Sequence, residues 1–418
     1  LWDSEASFLL TDKAGIEDGL EGRAHLKWIL STAAEADASK QLLSFDEVIS
    51  NASPNPIDVG TIPLDLAALI YTSGSTGHPK GVMMTHQTMV FTMTSVIDYL
   101  RLTSEDRILN VLPLAFSYGL YQLFMSVTLG ATLVLEHSFS FPMQIVEKFK
   151  EEQITVFPSV PTIFATLLSL AKKNNFTLPS VKCITNAADA LPEQFTVPLR
   201  ELFPNALIFK MYGLTECKRV CYLEPELVAQ KPFSVGKAIP GTEIFLRSET
   251  GEAIAPGETG ILHVRGPHVM LGYWKKPELT AHMLKEGRYP GEKVLCTHDQ
   301  FKLDEEGFLY FVGRSDDIIK TRGEKVSPVE VENVLHGIPG IKNASVIGVP
   351  HETFGEAVCA YVVLEETSTL NEQTIKRSCL AHLESYMVPS KIVFVDDLPK
   401  TGSGKVRKKD LRELSVKV

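Results

Sequence analysis

Leu66-Ala67-Ala68-Leu69-Ile70-Tyr71-Thr72-Ser73-Gly74-Ser75-Thr76-Gly77-His78-Pro79-Lys80-Gly81 joins a short apolar run to a loop dense in Gly, Ser and Thr. The first part, 66–71, has the pattern of a buried strand. In the second part glycines let successive backbone N–H groups converge on an anion. Thr72, Ser73, Ser75 and Thr76 add hydroxyl donors, and Lys80 adds positive charge. The loop therefore reads as a phosphate cradle. It is not the Walker loop, because Lys80 is followed by Gly81 rather than Ser or Thr and the glycine spacing differs. Beyond it, Met89, Met93, Val96 and Leu100 recur at helical spacing and predict a helix over 85–102, with Thr85 as its N-cap.

The same alternation extends along the chain. Strand-like runs at 107–111, 131–134, 155–157, 182–185 and 207–211 are separated mostly by helical patterns, which predicts a doubly wound, mostly parallel α/β sheet. Between Ile108 and Leu135 there is no charged residue, yet Pro113, Gly119 and Gly130 divide the stretch into strand, helix and strand rather than a membrane span. After Pro232 short runs rich in Gly and Pro predict a β-rich subdomain. After Gly313 a smaller α+β region follows, with Ser327-Pro328 opening a helix to about Leu335, strands at 344–349 and 357–364, and a helix over 372–383. The expected domains are 1–313, divided into an α/β part (1–231) and a β-rich part (232–313), and 314–418.

The 418 residues exceed what one core usually organises, which leaves room for a cleft between domains. Lys and Arg total 41 against 51 Asp and Glu, and the net charge of −10 argues against general nucleic-acid binding. Six scattered cysteines lack the spacing of a disulfide scaffold or a zinc site and imply a reducing compartment. The first residues carry no basic-then-apolar leader, so the expected location is cytoplasmic.

The cradle ending in Pro79-Lys80-Gly81 resembles the hallmark of the acyl-adenylate-forming superfamily: acyl-CoA and aryl-CoA synthetases, nonribosomal-peptide adenylation domains and firefly luciferase. Fatty acyl-CoA and acyl-carrier ligases are the nearest in pattern. Further motifs follow in the family's order. Tyr212-Gly213-Leu214-Thr215-Glu216 is similar to its Tyr-Gly-x-Thr-Glu, which implies Tyr212 on adenine, Thr215 on phosphate and Glu216 on Mg2+. Asn186-Ala187-Ala188-Asp189 stands where the family usually has a Gly-Gly-Ala type turn, giving Ala188 and Asp189 as adenine contacts. Thr297-His298-Asp299 stands for Thr-Gly-Asp, with Asp299 on the ribose and His298 a departure from the family's glycine. Arg314 resembles the nucleotide-contacting arginine and Asp316 the hinge of a mobile lid. Lys320 and Gly323 resemble the loop used in thioester formation, Gly323 in the thiol tunnel. Lys405, within 398–405, resembles the catalytic lysine of adenylation.

For the acid, Phe116, Tyr118 and Gly119 fall on the family's pocket segment, and the wall is expected to be apolar. No Asp stands there to greet an α-amino group, which favours a fatty or aryl acid. The fold implied is a large AMP-binding domain with a small mobile α+β lid. The family usually carries on the order of a hundred further residues before Asp3, so the usual N-terminal part is expected to be missing. The function implied is ATP- and Mg2+-dependent activation of a small carboxylic acid to acyl-AMP, then transfer to a thiol. Coenzyme A is the expected acceptor and an acyl carrier protein's phosphopantetheine arm the alternative. A nucleotide-binding protein without turnover is a second alternative, motivated by the expected missing N-terminal part, His298 and the altered adenine turn.

Overall fold

The computed structural model describes residues 3–13, 25–33, 35–37, 39, 41–73, 79–401 and 406–415. Gly74, Ser75, Thr76, Gly77 and Lys405 lie outside the described residues. The chain divides into two compact units, Leu1–Gln87 with Met270–Thr280, and Thr88–Val269 with Ala281–Val418. The boundary expected at residue 314 falls inside the second of these units.

In the first unit, Phe8–Thr11, Trp28–Ser31 and Leu42–Ser44 form a parallel three-stranded sheet. The helix Phe45–Asn51 follows, with the Ser44 hydroxyl accepting from Glu47 N–H at 3.4 Å. A second sheet is an antiparallel hairpin of Leu66–Ser73 and Pro79–Thr85, edged by Gly272–Tyr273. Residues 79–85 were expected as loop and helix cap. They form a strand because Val82 and Met84 alternate into the interior, both 0% exposed. Thr85 is accordingly the last, buried residue of that strand, and the helix runs His86–Leu100.

The second unit is built on a twelve-stranded sheet. Its parallel half has Arg107–Asn110 between Thr132–Leu135 and Val156–Ser159, then Cys183–Asn186 and Leu207–Tyr212. Connecting helices include Ser117–Leu129, Pro142–Glu151 and Pro161–Asn174. Phe149, Phe157 and Phe164 meet edge to face in the core beneath them, all 0% exposed. Each such side chain contributes about 1.5–3 kcal/mol of burial.

At Tyr212 the sheet reverses: Tyr212 pairs antiparallel with Cys221, and Cys221–Leu223 is followed in the sheet by Ser234–Ala238 and Leu309–Arg314. The strands expected as a β-rich subdomain thus continue the parallel sheet by hydrogen bonding. Gly236 makes the junction possible, since at its φ of +92° a Cβ would lie 1.7 Å from the Tyr222 carbonyl oxygen.

After Gly313 a five-stranded sheet carries the helices Pro328–His336, Glu372–Leu380 and Lys408–Ser415, with its own apolar cluster around Val331, Val346 and Ile375. Ser327 caps the first of these helices as expected, accepting from Glu330 N–H at 3.2 Å. Among the described residues no helix is long and apolar enough to cross a membrane.

Candidate functional site

Parallel α/β sheets bind ligands at the carboxyl ends of their strands, where adjacent connections part. Leu207–Tyr212 ends there, and its last two residues serve different neighbours. Tyr212 donates its hydroxyl to Asp299 Oδ2 at 2.6 Å, and its ring lies edge-on to Phe301. Burial, reinforced by Asp299, holds that hydroxyl well above the ordinary phenol range, so it remains a donor. Asp299 pairs in register with Arg314, whose Nε is 3.9 Å from its Oδ1 and 3.2 Å from Asp316 Oδ1. Asp299 is 9% exposed, whereas Arg314 and Asp316 are open to solvent. Four residues assigned from sequence therefore form one connected group.

His298 does not crowd this group. Its backbone adopts φ +57°, the left-handed conformation that glycine takes freely. Its ring stacks on His282 with centroids 4.3 Å apart. Ala188, at φ +77°, likewise keeps a glycine-like turn with a side chain present. Each such residue costs about 1–2 kcal/mol of local strain.

Gly213 follows Tyr212 and starts a tight turn. A Cβ here would lie 2.0 Å from the Lys218 carbonyl oxygen, and Lys218 itself stands at φ +63°. The turn draws Glu216, Lys218 and Arg219 into the protein at 8%, 9% and 7% exposure. Burial pulls the Lys218 amine down to about 7, against the opposing attraction of Glu216.

Met211 faces a cavity on the other side of the strand end, lined among others by Phe116, Tyr118, Ala188, Gly213 and Thr215. Phe116, Tyr118, Ala188, Gly213 and Thr215 are thus brought together. Gly119 and the exposed Asp189 are not in the wall. Gly119 is a packing residue, because a Cβ would come within 2.5 Å of the Pro113 carbonyl oxygen. The expected apolar wall is corrected in a second respect: Lys218, Arg219 and Gln122 line it beside the aromatic and aliphatic side chains. Arg219 sits over the Tyr118 ring at 5.4 Å. Neither Lys218 Nζ nor Arg219 Nε finds a hydrogen-bond partner among the described residues. The sequence reading missed both, since Cys217-Lys218-Arg219 looks like a solvated turn and its burial arises only from the Gly213 geometry.

In the first unit Lys80 pairs with Thr72 across the hairpin and donates to Tyr273 Oη at 2.7 Å. Tyr273 thus helps hold the cradle lysine. The signal available in sequence was only its place in Gly272-Tyr273-Trp274; Trp274 N–H donates to the Gly81 carbonyl at 2.8 Å. In the C-terminal part, Arg322 and Gly323 occupy a two-residue hairpin turn, both with positive φ, between Ile319–Thr321 and Glu324–Val326. Lys320 is exposed, and its backbone N–H donates to Glu356 Oε2 at 2.7 Å.

Comparison with known proteins extends these features to the whole chain. Residues 1–274 match the AMP-binding enzyme model and residues 330–405 the AMP-binding enzyme C-terminal domain. A feruloyl-CoA synthase from Amycolatopsis sp is 31% identical over 402 residues, covering 96% of this chain and 80% of that protein. The o-succinylbenzoate CoA synthetase of Bacillus subtilis, solved with its acyl-adenylate intermediate, superposes with a TM-score of 0.79 at 30% identity, covering 97% of this chain and 83% of that one. ATP-bound MatB from Rhodopseudomonas palustris superposes with a TM-score of 0.86 at 28% identity, covering 99% and 80%. With a family model spanning well over half its length and relatives aligned almost end to end, the chain belongs to the AMP-binding enzyme family of acyl-adenylate-forming ligases.

Proposed function

We propose that the protein couples ATP cleavage to thioester formation between a small carboxylic acid and coenzyme A. A carboxylate oxygen attacks the α-phosphorus of ATP, the bond to the bridging oxygen breaks, and pyrophosphate leaves. The thiol then loses its proton and attacks the acyl carbonyl, and AMP leaves. The observation that carries this reading is the end of Leu207–Tyr212, where Tyr212 joins Asp299 and Arg314 while Met211 and Thr215 line a cavity. A strand end with a ribose-type carboxylate on one side and a ligand cavity on the other would hold two reactants in one orientation, which supplies a large part of such a rate enhancement.

Asp299 would accept from the ribose hydroxyls, and Thr215 and Lys80 would hold phosphate oxygens. Ala188, Asp189 and Tyr212 would flank the base. Glu216 suits Mg2+, because its buried carboxylate is a hard oxygen ligand and the nucleotide phosphates complete the set. Bound there, the ion would neutralise phosphate charge. Residues 314–418 would act as a lid turning at Asp316, bringing Lys405 to the site for adenylation and Lys320 and Gly323 for thioester formation. The six cysteines, all free and buried, are in keeping with a cytoplasmic setting. The glycine-like backbone at Ala188 and His298 supports the enzyme reading over a binding-only protein.

The test is acid-dependent pyrophosphate release from MgATP across aryl, aliphatic and amino acids, with thioester formation on adding coenzyme A. Lys405→Ala should lower adenylation by roughly 100–1000-fold, the range for removing one preorganised electrostatic group. ATP binding without pyrophosphate release for any acid would sink the proposal.

A further inference from the structure

Among the described residues the wall of the cavity contains two basic side chains, Lys218 and Arg219, and no Asp or Glu. Lys218 and Arg219 are more than nine-tenths buried, and Lys218 Nζ and Arg219 Nε make no hydrogen bond to described residues. Unpartnered buried donors of this kind are rare in folded proteins and destabilising, and each calls for an explanation. Arg219 is held over the Tyr118 ring on the aromatic side of the cavity, and Tyr118 is in turn fixed by donating to the Thr185 carbonyl at 3.0 Å. The guanidinium therefore belongs to the wall that surrounds the body of the acid rather than to Tyr212 and Asp299. A fatty chain or plain aryl ring placed there would leave both donors unpaired.

We propose that the preferred substrate is a dicarboxylic acid, one carboxylate reacting while the second accepts hydrogen bonds from Arg219 and Lys218. This rests on the acid–CoA ligase reading above and narrows its substrate class. Phe116, Tyr118 and Met125 supply the apolar contact for the carbon skeleton between the two ends. Arg219 suits the role because its planar guanidinium offers a fork of donors to one carboxylate and stays charged when buried.

The experiment compares succinate, glutarate, adipate and terephthalate with butyrate, valerate, hexanoate and benzoate. The full chain and its Arg219→Met, Arg219→Lys and Lys218→Met variants are assayed for pyrophosphate release and, by calorimetry, for binding. At the length that fits, the unaltered protein should favour the diacid over its matched monoacid in kcat/KM. Arg219→Met should cut that ratio by roughly 10–100-fold, the effect of losing a hydrogen bond to a charged group, and Arg219→Lys should recover part of it. Because the ratio is taken within one variant, partial unfolding does not imitate the result. The proposal is overturned if monoacids are preferred or equal, or if Arg219→Met depresses both acids alike, which would assign the cation to the reacting carboxylate. Diacid binding that disappears in Arg219→Met without pyrophosphate release for any acid supports the site and removes the ligase reading. Release with monoacids alone does the reverse.

Discussion

The two sides of the Leu207–Tyr212 strand end differ in how they are held. On the Tyr212 side the polar groups form a chain: Tyr212 to Asp299, Asp299 N–H to Thr297 Oγ1 at 3.1 Å, and Thr297 Oγ1 to the Leu262 carbonyl at 2.9 Å. On the Met211 side the cavity is walled by apolar and polar side chains, with Lys218 Nζ and Arg219 Nε among the buried polar atoms that find no hydrogen-bond partner among the described residues. The first arrangement is finished before a ligand arrives and suits a reactant that never changes. On the proposed reading the second is completed by the acid and carries the selectivity, because a site built to hydrogen-bond a group rejects analogues lacking it.

That contrast can be broken by substitution. Asp299→Ala removes the acceptor of the Tyr212 hydroxyl and the proposed ribose ligand, and should raise KM for ATP by roughly 10–100-fold while leaving the ranking of acids intact. Steady-state kinetics with two acids of different shape check this. A change in acid ranking as large as the change in KM would show that the two sides are not separable.

Tyr273→Phe should be milder. It deletes one hydrogen bond to Lys80 and keeps the ring over which the ammonium lies at 4.2 Å. The expected loss in kcat/KM for ATP is about twofold to tenfold, in line with about 0.5–1.5 kcal/mol for one hydrogen bond. Equal loss for Tyr273→Phe and Tyr273→Ala would mean that the hydroxyl alone matters.

His298→Gly should do least, keeping KM for ATP within about threefold, because the replaced ring rests on His282 and the turn already has a glycine-like backbone. A large fall in KM would mean that the imidazole obstructs the nucleotide after all.

The polar group around Tyr212 was legible in sequence, whereas on the Met211 side Phe116, Tyr118, Ala188, Gly213 and Thr215 were legible and the basic residues were not, for a physical reason. Gly213 is obligatory because the Lys218 carbonyl leaves no room for a Cβ, and Asp299 and Arg314 occupy fixed register positions, so a local motif carries the geometry. The wall of the cavity draws on residues from Thr92 to Arg219, and nothing local marks Lys218 and Arg219 as buried. The strand Pro79–Thr85 was missed for a related reason: Gly and Pro suggested a loop, and only pairing with Leu66–Ser73 revealed the alternation of Val82 and Met84. Likewise the strands after Pro232 announced themselves as β-rich, but their attachment to the parallel sheet depends on the Gly236 approach to Tyr222.

The hydrogen bond from Tyr212 to Asp299 joins residues 87 positions apart. During synthesis, a nascent chain that has emerged as far as Arg219 already contains every residue of the cavity wall, while Asp299 and Arg314 are still to be translated. Domains assemble from their N-terminal side as they leave the ribosome. The cavity wall is therefore complete in the growing chain while the Tyr212 hydroxyl still lacks its Asp299 acceptor, which arrives only when Lys293–Leu303 joins the sheet.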